Sequence, residues 1–299
     1  MSVIFMSLSS QSASVRSESA YGRLLAEVPR FTWRVFGDGV ELEMYAFFPP
    51  NHSREDAVPS MVFFHGGMWR VDSMAEFVPW ATVLARRGVA CFLPVFRTRA
   101  RFEVSALDVL DDAEEAWLWV RENAAELGLD PHAVSVAGCD AGALMALHVA
   151  MPPVAKKRRW LVFRSKEPLP PMPASVAIFR GVVDLNAPEA ARLQIDREMA
   201  AAYGLNPVDL LRPCLPPLFS AHGMQDSLMD CHLSEWFAAE WKGCGNAAMH
   251  VSCPLGDHAF LHFNVNPQVF EQVMASWDAF LVSNGVWPEA DDPAGLLLL

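Results

Sequence analysis

Val134-Ser135-Val136-Ala137-Gly138-Cys139-Asp140-Ala141-Gly142 is the stretch that decides the fold. Its first four residues form a short apolar run suited to a strand, and Ala141 to Met151 reads as the helix that follows. Gly138 and Gly142 flank the turn between them. Glycines there let backbones pass where a side chain would clash. The helix starting near Ala141 aims its free N–H groups and positive dipole end at the turn. Asp140 stands at its tip.

The same rhythm extends outward. Upstream, Val40 to Phe48 alternates apolar and polar residues as a half-buried strand does. Met61 to Phe64 is an apolar run stopped by His65-Gly66-Gly67, and Val89 to Leu93 is another. Ala106 to Leu127 carries apolar residues at helical spacing with acids early. Downstream, Ser175 to Phe179, Leu218 to Ala221 and Ala248 to Ser252 read as strands, and Leu233 to Trp241 and Val269 to Ser283 as helices. Strands alternating with helices predict an α/β fold, a mostly parallel sheet with helices on both faces. Ligands in such sheets bind beyond the carboxyl ends of the strands. Length predicts one domain over 1–299. Residues 154–216 break the rhythm with many prolines, and part of this interval is expected to form a small cap or lid insertion over the strand ends.

Composition excludes several function classes. Hydrophobic residues make up 52% of the 299, a globular balance. The net charge of −12, from 35 acidic and 23 basic residues, opposes binding to nucleic acid, which needs a basic surface. The cluster Lys156-Lys157-Arg158-Arg159 reads as a solvated loop. The six cysteines show no C-x-x-C pair and no spacing suited to zinc, so neither metal nor cofactor is expected. Buried free thiols fit a reducing compartment, and a cytoplasmic location is expected. No apolar run reaches the length of a membrane span. Met1 to Leu8 lacks a positive n-region and reads as a frayed tail rather than a signal peptide. The stretch from Trp287 to Leu299 is expected to be poorly ordered or to dock on a neighbour. The expected partner is a small-molecule substrate or ligand; the oligomeric state is not legible.

Four local patterns follow in order: His65-Gly66-Gly67-Met68-Trp69 after a strand, Gly138-Cys139-Asp140-Ala141-Gly142 between strand and helix, Asp226 in His222-Gly223-Met224-Gln225-Asp226, and His258 in Gly256-Asp257-His258-Ala259-Phe260. This order of nucleophile, acid and histidine resembles the α/β-hydrolase fold. The likeness runs from about Val40 to Phe280 and leans toward the HGG-bearing esterases: hormone-sensitive-lipase-like enzymes, bacterial acetylesterases and kynurenine-formamidase-like enzymes. Leu127-Gly128-Leu129-Asp130-Pro131 and the His258 to Asn264 segment, similar to that group's HGFFN, extend it. The resemblance implies a nucleophile elbow at Asp140, Asp226 orienting His258, and oxyanion donors from Gly66, Gly67 and Ala141. His65, Trp69 and Cys139 are expected around the pocket. Asp230 rivals Asp226 as the acid, one helical turn on.

One position departs from the pattern: those esterases carry serine where Asp140 stands. A carboxylate has no proton for His258 to remove, and its charge opposes a nearby oxyanion. Cys139 gives no substitute, because the residue before the elbow tip points away. Three readings follow: an esterase-like hydrolase of a small carboxylic ester or related acyl substrate, with Asp140 and His258 orienting a water; an inactive homologue that binds a small ligand; and an Asp-nucleophile hydrolase of the dehalogenase or epoxide hydrolase type. The dehalogenase-like families usually carry His-Gly-x-Pro rather than His65-Gly66-Gly67, and a bulky residue after the Asp rather than Ala141.

Overall fold

Alternation along the central strands builds two cores, one on each face of a sheet. In β3 (Val58–Phe64), Val62 and Phe64 enter one core and Met61 and Phe63 the other. In β5 (Leu129–Cys139), Val134 and Val136 go one way, Ala137 and Cys139 the other. The period-two alternation of a strand produces this, with both sets of side chains apolar because both faces are covered. The computed structural model describes residues 22–152 and 172–290. Met1 to Leu8, the basic cluster at 156–159 and the run of leucines at 296–299 lie outside them.

The sheet has eight strands in the order β1-β2-β4-β3-β5-β6-β7-β8. Strands β1 (Arg30–Val35) and β2 (Glu41–Phe47) pair antiparallel, as do β2 and β4 (Ala90–Pro94). From β4 through β3, β5, β6 (Val176–Phe179), β7 (Leu218–Gly223) and β8 (Ala248–Cys253) the pairing is parallel. Helices α2 (Ala106–Glu122), α3 (Ala141–Ala150) and α5 (Cys231–Gly243) supply residues to one core. Helices α1 (Val78–Arg86) and α6 (Pro267–Ser283) supply the other. Helix α3 is apolar at every position but His148, as befits a helix buried between the sheet and its neighbours. A capping box between Ser105 and Asp108 starts α2.

This is the mostly parallel sheet with helices on both faces that the sequence predicts. Elements not read beforehand include the half-exposed edge strand β1, helix α1, and the short helix α4 (Arg197–Tyr203). Helix α2 ends at Glu122 rather than Leu127; turns bridge to Gly128, whose φ of +68° suits glycine. The interval 154–216 contains β6, a strand of the sheet. Its remaining described part is a string of short helices that buries Ala190, Leu193, Ala200 and Leu205 in the first core. All six cysteines are free, with Cys91, Cys139 and Cys253 buried. Trp287 is buried in the second core. Among the described residues, no helix is long and apolar enough to cross a membrane.

Candidate active site

The turn between β5 and α3 is as tight as its glycines imply. A Cβ on Gly138 would lie 2.1 Å from the Gly142 carbonyl oxygen, and one on Gly142 would lie 2.0 Å from that of Phe64. Asp140 takes φ 50° and ψ −117°, a strained conformation for a residue with a side chain. The end of β6 holds it there: Asp140 N–H donates to Phe179 O (3.3 Å) and Val182 N–H to Asp140 O (3.2 Å).

The loop after β3 lies against this turn. Gly67, Met68 and Trp69 all have positive φ, and Asp140 Oδ2 is close enough to Gly66 that a Cβ there would sit 2.3 Å from it. The N–H of Gly66 donates to Glu76 Oε1 at 2.9 Å. Glu76 also accepts from the Cys139 thiol (3.0 Å). Burial pushes the Cys139 thiol well above its ordinary value. Among the described residues, the N–H groups of Gly67 and Ala141 have no hydrogen-bond partner. Trp69 is a core residue, wholly buried. His65 is also buried and stacks on Phe96, with centroids 4.2 Å apart; burial lowers its pKa.

Beyond β7 and β8 lie the acid and the histidine. Asp226 Oδ2 accepts from His258 Nδ1 at 2.8 Å, and Oδ1 accepts from the amides of Leu228 (2.8 Å) and Met229 (3.0 Å). Burial pushes the Asp226 carboxyl up, but the hydrogen bonds from His222, His258 and Leu228 outweigh it and hold the group far below the usual carboxylate range. Asp230, the rival acid, instead caps α5 through the His232 amide. His258 turns its other nitrogen toward the elbow: Nε2 is 3.5 Å from Asp140 Oδ1. The structure thus brings Asp140, His258 and Asp226 into one line at the carboxyl ends of β5, β7 and β8.

Two charged residues that the sequence reading passed over complete the site. Arg180, at the end of β6, donates through Nε to Asp140 Oδ1 (2.8 Å) and through Nη2 to Glu76 Oε2 (2.9 Å). One guanidinium therefore serves two buried carboxylates, and its fork suits that role. Burial would lower the Arg180 pKa, but Asp140, Cys139 and Glu76 raise it above the ordinary value. Glu76 is held below its ordinary value: burial pushes it up, and Arg180 with its hydrogen-bond donors pulls it down. His262 Nε2 approaches Glu76 at 4.0 Å; burial lowers its pKa. A signal for Arg180 was present, since a charged residue directly after the apolar run Val176–Phe179 marks the end of a buried strand. Nothing around Glu76 distinguished it from a solvated helix acid.

The geometry has counterparts among known proteins. A family model described as alpha/beta hydrolase fold matches residues 61–262. The carboxylesterase NlhH of Mycobacterium tuberculosis is 33% identical over 132 residues, 41% of this chain; the chain thus spans 40% of that relative's length. The thermophilic esterase Est2 of Thermogutta terrifontis, solved with propionate bound, superposes with a TM-score of 0.76 at 26% identity, covering 90% of this chain and 98% of that one. The same organism's esterase 2 phosphorylated by paraoxon gives a TM-score of 0.75 at 26% identity, covering 89% and 97%.

Proposed function

This chain belongs to the α/β-hydrolase family, and from that premise we propose that it is an esterase-type hydrolase of small carboxylic esters or related acyl compounds, in which His258 activates water and Asp140 is a fixed carboxylate rather than a nucleophile. The observation that carries the reading is the alignment of His258. Its Nδ1 is fixed on Asp226 at 2.8 Å, its Nε2 is 3.5 Å from Asp140 Oδ1, and its side chain is 28% exposed. An imidazole held in that tautomer, open to solvent and with an acceptor beside its free nitrogen, is equipped to orient and deprotonate a water.

The steps then balance without an acyl-enzyme. A water accepts no bond from Asp140 but donates one to it and one to His258 Nε2. His258 removes the second proton as the oxygen attacks the carbonyl carbon. The N–H groups of Gly67 and Ala141 are the donors left to meet the oxyanion. Collapse breaks the ester bond, and His258 returns its proton to the leaving alkoxide. Asp226 stabilises the imidazolium in between. Arg180 offsets the charge that Asp140 would otherwise set against the oxyanion. The carboxylesterase relative and the propionate-bound esterase support the substrate class.

A second reading, a ligand-binding homologue without turnover, draws on a different observation. Asp140 is tied to Arg180 and the Gly66 amide to Glu76, so two groups expected in chemistry are engaged within the protein. Assay of short p-nitrophenyl esters separates the two. The expected result is slow hydrolysis by the parent protein that His258→Ala removes. Hydrolysis unchanged by His258→Ala, or none at all from the parent, overturns the water-activation reading.

A further inference from the structure

We infer that His222 is a positioning residue that holds Asp226 ionised and aligned for His258; this rests on the hydrolytic reading of the Asp226–His258 pair. The two imidazoles share one carboxylate oxygen: His258 Nδ1 lies 2.8 Å from Asp226 Oδ2, and His222 Nε2 lies 3.1 Å from the same atom. Backbone amides of Leu228 and Met229 hold the other oxygen. An ionised carboxylate only accepts hydrogen bonds, so both imidazoles must carry protons toward it. That fixes the His222 tautomer with N–H at Nε2. Its Nδ1 then accepts from Ser234 Oγ at 2.8 Å, and the serine hydroxyl can rotate to suit.

The arrangement is built in, not incidental. His222 is 1% exposed near the carboxyl end of β7, the Asp226 side chain is fully buried, and Ser234 on α5 is buried too. A buried carboxylate with too few donors tends to take up a proton, and a protonated Asp226 cannot stabilise the imidazolium of His258. With four donors the carboxylate stays ionised at neutral pH and is held in one orientation. The other titratable groups near the relay are Cys231 on α5, which interacts with Asp226, Asp230 and Glu235, and His250 on β8, which interacts with His222 and Glu235. None of these donates to the Asp226 carboxylate, so besides His258 itself His222 is the side chain whose loss leaves the acid one donor short.

The test compares His222→Gln, which keeps an amide donor near the Nε2 position, with His222→Leu, which keeps bulk and loses the donor. Neither replacement titrates. Urea unfolding at neutral pH should find the Leu variant less stable than the Gln variant. The gap should narrow as pH falls below the ordinary carboxylate range, because a protonated Asp226 no longer needs the donor. A gap equal at every pH means packing alone and overturns the inference. In an Asp140→Ser background, kcat for p-nitrophenyl acetate should fall about tenfold with His222→Leu and stay within about threefold with His222→Gln, the scale of one hydrogen bond to a charged group. An undiminished kcat in the Leu variant also overturns it. If the Asp140→Ser background hydrolyses no ester, the hydrolytic reading fails on its own, and the unfolding comparison still decides whether His222 supports Asp226.

Discussion

The two halves of the site are each built on a buried carboxylate and behave differently. Around His258 lie an acid fixed by two imidazoles and two backbone amides, and an imidazole with its free nitrogen directed to the elbow. Around Asp140, charge meets charge: a carboxylate, a guanidinium and a second carboxylate, all buried, with the Gly66 amide drawn in. The first half is a proton relay and the second an ion-pair knot. The contrast teaches that an aspartate at the elbow does not stand alone. It comes with Arg180 to neutralise it, and Arg180 in turn engages Glu76.

The comparison breaks most visibly if the elbow residue is changed. Asp140→Ser gives His258 a hydroxyl to deprotonate and removes a charge opposing the oxyanion. Arg180 keeps Glu76 as its partner, so no charge is orphaned. Esterase kcat should rise at least ~100-fold over the parent, the scale of one essential catalytic group, measured on p-nitrophenyl acetate. A variant that is folded and inert would mean the relay half is not catalytic.

The knot half should dominate stability. Arg180→Met leaves two buried carboxylates facing each other without a cation, and should cost about 3–5 kcal/mol in urea unfolding at neutral pH. Arg180→Lys keeps the charge but loses the fork that reaches both carboxylates, and should fall between. A smaller effect sharpens the contact between loop and elbow. Gly66→Ala sets a Cβ against Asp140 Oδ2, so it should cost roughly 1–3 kcal/mol in the parent and clearly less in Asp140→Ser. A double-mutant cycle reads that coupling.

The smallest expected effect concerns pH. The folded Asp226 carboxyl is depressed below its unfolded value. The stability this contributes is present above the unfolded value and is lost as pH falls through the folded one. Asp226→Asn should therefore destabilise most at neutral pH, and its deficit against the parent should shrink on acidification. A constant deficit would mean that Asp226 holds the loop by shape alone.

Much of this was legible in sequence, for physical reasons. The strands of the sheet centre are buried on both faces, so Met61 to Phe64 and Val134 to Ala137 read as apolar runs. The glycines around Asp140 are required by approaches near 2 Å that any Cβ would block, so they stand out as a pair. His258 and Asp226 sit on loops after strands, where order along the chain is informative. Other features carry weaker marks. Strand β1 is half exposed, and α1 begins without a side-chain cap. Glu76 and Arg180 are separated by 104 positions and meet only once β6 and the loop before α1 are folded together. The Gly66 amide, read as an oxyanion donor, donates to that same Glu76; no spacing in the chain announces such a pairing.

The central claim is that water attacks the substrate under His258 while Asp140 stays chemically untouched. Turnover of a short ester in ¹⁸O-labelled water, followed by mass analysis of the released acid and of the peptide containing Asp140, tests it directly. The account predicts label in the acid and none in the Asp140 carboxylate. Label in Asp140 would show that its oxygen attacks and that water then cleaves an enzyme-bound intermediate at its carboxyl carbon, and would contradict the account.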